Sequence, residues 1–265
     1  MLVSEVMLQQ TQAVRVTPHY LRFLRRFPTV DALASAPRSE VVRAWAGLGY
    51  NRRAVALSET ARVVVRDHGG SVPADPERLQ QLPGVGAYTA AAVASFAFGA
   101  AVPAMDTNVR RVVARARLGL EAGEADAGDV REAARSWTDR RDPGAWNQAI
   151  MDIGREVCRP VPRCGSCPIA ETCAARRAGR VPVGRPPRRK AGADAFEGSS
   201  RQLRGRIVAV LRECGRTSVS AIATRLDVSP GRVAEALAAL RADGLVAAGP
   251  AALDGRPGGR VALAR

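Results

Sequence analysis

Lysine is almost absent from this chain: its 40 basic residues are 39 arginines and a single lysine, Lys190. Chemistry that needs a lysine amine in a folded core therefore has one residue to draw on, and Lys190 stands in a stretch of linker composition. Histidine is scarce too. His19 lies on a helix-like face and His68 before a Gly-Gly turn, and neither is a catalytic candidate. No run of about 18 apolar residues occurs, which excludes a membrane-spanning helix. The opening residues lack a basic segment ahead of an apolar core, so the expectation is no signal peptide and a cytoplasmic, nucleoid-associated location. Period-2 runs of β-branched residues are missing from residues 1 to about 177, which argues against a β-rich core there.

What is present is positive charge. Against the 40 bases stand 25 acids, a formal net charge of +15 and a sequence pI near 11.2. That balance favours a polyanionic partner, because each phosphate neutralised releases condensed counterions. Arginine in place of lysine also reflects codon usage, so charge alone does not name the partner. At 265 residues the chain has room for a large core and two or three domains. Five cysteines in a reducing compartment point to a metal site rather than to disulfides.

Short apolar-periodic segments alternate with breakers such as Phe27-Pro28, His68-Gly69-Gly70 and Asp142-Pro143-Gly144. Helices are expected at Val41 to Gly47 and Arg52 to His68, where apolar residues recur at i, i+3 and i+4. The fold class expected is mainly α. Residues 1–118 and 119–177 read as two helical domains, and 178–202 reads as a basic linker. Residues 203–265 change pattern: helix candidates at Leu203 to Cys214 and Ser218 to Leu226, a third opened by Ser229-Pro230, then a hairpin from Leu245 to Leu263. That order resembles a winged helix-turn-helix.

Three groups of residues carry chemistry. Gly84-Val85-Gly86 joins two helix-like stretches, and the absence of side chains lets backbone N–H groups at a helix N-terminus approach a phosphate. Asp106 precedes Thr107-Asn108-Val109 as a natural N-cap, and it equally offers a carboxylate to developing positive charge on a sugar. Glu5 lies in the apolar stretch Val3 to Leu8, where burial would raise its pKa toward that of a general acid. Two carboxylates in unlike environments suit cleavage of a glycosidic bond. Cys158, Cys164, Cys167 and Cys173, spaced C-x5-C-x2-C-x5-C, could close around an iron–sulfur cluster, and zinc remains open. Cys214 stands apart and is expected to be a packed thiol.

Together the hairpin, Asp106 and the four-cysteine loop resemble the helix-hairpin-helix DNA glycosylases related to endonuclease III. Ser4 to Gln12 and Gly47-Leu48-Gly49-Tyr50 look like the MutY branch, the adenine glycosylases, of actinobacterial type. The resemblance implies a six-helix domain, a helical [4Fe–4S] domain held by Cys158, Cys164, Cys167 and Cys173, and a monomer acting on double-stranded DNA. It implies that Glu5 protonates the adenine ring and that Asp106 stabilises the oxocarbenium-like sugar, with Asn108 in support. Tyr88 occupies the position where the bifunctional branch has its Schiff-base lysine, so base release would leave the strand uncut. Gln10, Thr11, Leu48 and Tyr50 would surround the flipped adenine and wedge beside its partner, 8-oxoguanine or guanine, while Gly84, Val85 and Gly86 grip the backbone.

The chain departs from that family in three places. It starts at Met1, where the family has a preceding helical segment, so an N-terminally short chain is expected. Its first cysteine interval is five residues, where the family usually has six. Its C-terminal part resembles a winged helix rather than the NUDIX-like domain that reads 8-oxoguanine in many relatives. Two other functions fit less of the sequence: a thymine mismatch glycosylase, which has no use for Glu5, and a non-catalytic DNA-binding protein.

Overall fold

The computed structural model describes residues 1–181 and 196–265. Most of the expected linker, with Lys190, lies outside the described residues. Helices dominate: α1 (Leu2–Leu8), α2 (Ala13–Arg26), α3 (Val30–Ser35), α4 (Arg38–Ala44), α5 (Arg52–His68), α6 (Pro76–Gln80), α7 (Ala87–Phe98), α8 (Thr107–Val113), α9 (Ala127–Trp137), α10 (Pro143–Asp152) and α11 (Ala174–Arg177). The C-terminal part adds α12 (Ser200–Cys214), β1 (Arg216–Ser218), α13 (Val219–Leu226), α14 (Pro230–Ala242), β2 (Val246–Ala248), α15 (Pro250–Leu253) and β3 (Arg260–Leu263). Among the described residues no helix is long and apolar enough to cross a membrane. The chain divides into two compact units. One joins Met1–Glu5 to the described residues from Pro73 to 181, and the other joins Val6–Val72 to those from 196 onward.

In the first unit, α8, α9 and α10 close around Val109, Val112, Val113, Val130, Ala134 and Ile150, all buried. Trp137 and Trp146 meet edge to face at 5.9 Å beside them. Two of the helix starts carry the same signal. Asp75 accepts from the Arg78 N–H and Asp142 from the Ala145 N–H, and a proline follows each. Asn147, fully buried, does more than pack. Its side chain accepts from Ala104 N–H (2.7 Å) and donates to Ser95 Oγ (2.9 Å), Val102 O (2.9 Å) and Pro143 O (3.0 Å). This fixes the extended segment that delivers Asp106.

In the second unit, Phe23 packs against Phe27 (4.9 Å) and edge-on to Trp45 (6.0 Å). α5 buries Ala54, Leu57, Ala61 and Val64, one face of the helix, with α3 and α4 against it. The winged helix belongs to the same unit. Its sheet has three antiparallel strands in the order β1-β3-β2, one more than the expected hairpin. Arg212 of α12 donates to Val42 O (3.0 Å) and Asn51 Oδ1 (2.7 Å), while Asp243 pairs with Arg52 (3.2 Å) and Arg204 (3.5 Å). Cys214 corrects an expectation: it is exposed and accepts from Arg225 (3.3 Å), because the end of α12 projects past the core that holds Leu211.

Candidate active site

Glu5 stands in the largely apolar helix α1 and is itself buried. The residue is 9% exposed. Burial pushes its pKa above the usual carboxylate range, with the N-terminal ammonium working weakly the other way. Tyr88, in the first turn of α7, has its phenol raised to about 12, first by burial and then by the negative charges of Glu5 and Asp106. It therefore remains a neutral donor, and its hydroxyl reaches Met151 Sδ at 3.9 Å.

Asp106 takes the N-cap role the sequence offered, and its second oxygen has a partner of its own. Oδ1 accepts the Val109 N–H at 2.6 Å as the N-cap of α8, and Oδ2 accepts from Asn108 Nδ2 at 3.2 Å. Asn108 Oδ1 in turn accepts from Arg111 Nη2 (2.9 Å), which also donates to Gly154 O (2.8 Å). Arg111 Nε donates to Cys158 O (2.7 Å). The carboxylate orientation is thus tied, through Asn108 and Arg111, to the start of the cysteine loop. Glu5, Tyr88, Asp106 and Asn108 all fall in the first unit, as does the hairpin.

At that hairpin Gly84 adopts φ +74°, which an L-residue resists, while Val85 is buried and anchors the turn. Gly86 is the N-cap of α7 at an ordinary φ of −84° and offers no side-chain cap. A Cβ added there would meet nothing within 4 Å, so the turn is uncrowded on that side.

Two loops in the second unit carry the remaining predicted residues. Gln10 (φ +54°) and Tyr50 (φ +44°) are two of three non-glycine residues with positive φ among the described residues. Such strain persists where the surroundings hold it and concentrates at functional sites. Here one buried guanidinium holds both loops. Arg53 Nη1 donates to Val6 O (2.9 Å), Met7 O (2.9 Å) and Gln9 O (2.6 Å). Its Nη2 donates to Thr11 Oγ1 (3.1 Å), Leu48 O (3.1 Å) and Gly49 O (3.3 Å). Arg53 also lies 5.3 Å from the Trp45 ring and 5.5 Å from that of Tyr50. Tyr50 is 54% exposed, whereas Leu48 is buried and serves its loop as an anchor. Arg53→Met is expected to destabilise the fold by about 3 kcal/mol or more, since it removes the donor to five backbone carbonyls, of which Gly49 O keeps the Trp45 indole and Gln9 O the Thr11 hydroxyl. Urea unfolding checks this.

The four predicted cysteines line one cavity, together with Arg115, Ile169 and Ala170. Arg115 Nη1 donates to Cys158 Sγ (3.7 Å), and Cys173 Sγ to Arg115 O (3.6 Å). Among the described residues no three His, Cys, Asp or Glu side chains group as they would around one metal ion. The thiols share a volume rather than a point. Arg53, Asn147 and Arg111 escaped sequence reasoning, because in an arginine-rich chain a buried arginine has no distinguishing spacing.

Residues 3–140 match the HhH-GPD superfamily of base excision DNA repair proteins. The chain belongs to that superfamily. Residues 201–247 match a winged helix-turn-helix DNA-binding family. The adenine DNA glycosylase of Mycobacterium tuberculosis H37Rv is 48% identical over 218 residues, 80% of this chain and 69% of the relative. That of Mycolicibacterium smegmatis is 42% identical over 250 residues, 92% of this chain and 83% of the relative. Among solved structures, a thermostable thymine-DNA glycosylase is similar with a TM-score of 0.62 and 31% identity, covering 67% of this chain and 83% of its own. The HhH-GPD assignment fits a glycine hairpin followed by a capping aspartate.

Proposed function

We propose that this HhH-GPD protein is a monofunctional DNA glycosylase that excises adenine mispaired with 8-oxoguanine or guanine, acting as a monomer at the nucleoid. The observation that carries the reading is Glu5: a buried carboxyl, raised in pKa, whose charge is felt by the same phenol that feels Asp106. Protonated Glu5 gives its proton to a ring nitrogen of the flipped adenine, and the C1′–N9 electron pair leaves with the base. Asp106 turns its side-chain oxygens to the oxocarbenium-like sugar and stabilises it. Water then adds to C1′, and its proton returns to Glu5. Tyr88 supplies no amine for a Schiff base, so the abasic strand stays intact.

Identity of 48% and 42% to adenine glycosylases supports adenine over thymine. So does the general acid, for which thymine has no comparable basic ring nitrogen. Release assays on duplexes with adenine opposite 8-oxoguanine, adenine opposite guanine, and thymine opposite guanine test this. Adenine alone should be released, and thymine release would overturn the reading.

The cysteine cavity supports a [4Fe–4S] cluster, a body with four attachment points, held by Cys158, Cys164, Cys167 and Cys173. When bound, such a cluster supplies a structural clamp for the loop; the residues around it do the rest. Arg115 would neutralise part of its thiolate charge, and Arg111 carries the loop's position to Asn108. Purified protein is expected to hold iron and sulfide in equal amounts, and Cys167→Ala to lose both and melt earlier. Stoichiometric zinc would contradict the cluster.

A further inference from the structure

The winged helix has two faces that could meet a partner. On α14 the solvent-facing positions include Gly231, Arg232, Glu235, Ala238 and Ala242. Base edges are read by bidentate Arg, Asn or Gln side chains. This face has an acid, alanines, and one arginine that donates to Gly198 O at 3.1 Å. It is poorly equipped to read a groove.

The sheet is equipped differently. Alternation turns Val246, Ala248, Val261 and Leu263 inward, all buried, and leaves Arg216, Ala247, Arg260 and Ala262 facing out. Register sets Ala262 between Arg216 on one side and Ala247 on the other. Arg241, from the last turn of α14, and Arg265 line the same groove. It is therefore an alanine floor rimmed by four exposed arginines. None of the four joins an ion pair among the described residues. Eleven of the 36 described arginines join an ion pair, so what marks these four is their convergence on one concavity rather than the lack of an acidic partner. A guanidinium fork matches phosphate, and a floor without bulky side chains admits a sugar–phosphate backbone.

We propose that the outer face of the β1-β3-β2 sheet, and not the α14 helix, grips the phosphate backbone of duplex DNA without regard to sequence. The inference rests on the reading that duplex DNA is the partner of this chain. It makes the winged helix a hold on DNA that needs no damaged base.

The test is equilibrium binding of the full chain to an undamaged duplex of several helical turns across a salt series. It stands apart from base excision, so failure of one reading is distinguishable from failure of the other. For R216S/R241S/R260S the slope of log affinity against log salt should fall by about 3, roughly one for each phosphate no longer neutralised. The single variant R260S should lower the slope by about 1, which keeps the test open if the triple variant misfolds. Ala238→Asp, which places a charge on the exposed face of α14, should keep the wild-type slope and affinity. An unchanged slope in the arginine variants would overturn the proposal, and so would a loss in Ala238→Asp as large as theirs. Loss of binding to single-stranded RNA or an acidic peptide, with duplex binding unchanged, would overturn it as well.

Discussion

Glu5→Gln should lower single-turnover adenine release by about a hundredfold to ten-thousandfold, the range that a positioned general acid supplies. Gln is nearly isosteric, so affinity for the mispaired duplex should persist while chemistry is lost. The wild-type rate should fall as pH rises through the raised pKa of Glu5, because only the protonated carboxyl can give a proton. Stability carries the complementary signature. A carboxyl whose pKa is raised on folding stabilises the native state fully below the ordinary carboxylate pKa, and that contribution is lost as pH rises through the raised value. Glu5→Gln removes the cost of a buried carboxyl at neutral pH. Its melting temperature should match the wild type in acid and exceed it near pH 7, by calorimetry at both. An activity loss with no gain in stability would indicate that Glu5 is ionised and already solvated.

Asp106→Asn should reduce excision by about a thousandfold with little change in stability. Asparagine caps helices nearly as well as aspartate, so its side-chain oxygen can still accept the Val109 N–H. What disappears is the negative charge facing the sugar, and preorganised electrostatic groups of this kind are worth about 100- to 1,000-fold each. Asp106→Ala should match that loss in rate and additionally cost about 1 kcal/mol through the missing cap. The pair of variants separates the two roles that one carboxylate holds, by single-turnover rates beside urea unfolding. Equal stabilities for the two variants would mean that the cap contributes nothing.

Much of this was legible in the sequence, for reasons that differ by element. The long helix Arg52–His68 announces itself by apolar periodicity, and α8 by its capping aspartate. The helix-turn-helix of the C-terminal part is marked by Ser229-Pro230, where the serine side chain caps and the proline takes the first helical position. Strand β1 was not legible, since Arg216-Thr217-Ser218 has no alternation and gains its pairing only from β3. Of the candidate pair, Glu5 was readable as an acid in an apolar run, and Asp106 as a capping acid after the glycine hairpin. Arg53 was not, because its acceptors come from two loops, one more than forty residues away along the chain and the other four or five, which only the fold brings together. Leu48 illustrates the limit of transfer by position: its side chain is buried, and Tyr50 two residues on is what the loop exposes.

The most direct measurement is a single-turnover assay on a duplex with one adenine opposite 8-oxoguanine, following free adenine and strand length together. Adenine should appear while the strand stays full length until alkali is added, and neither should change in Glu5→Gln on the same time scale. A strand cut before alkali, trapped by borohydride, would contradict the assignment of Tyr88, and thymine rather than adenine as the released base would contradict that of Glu5.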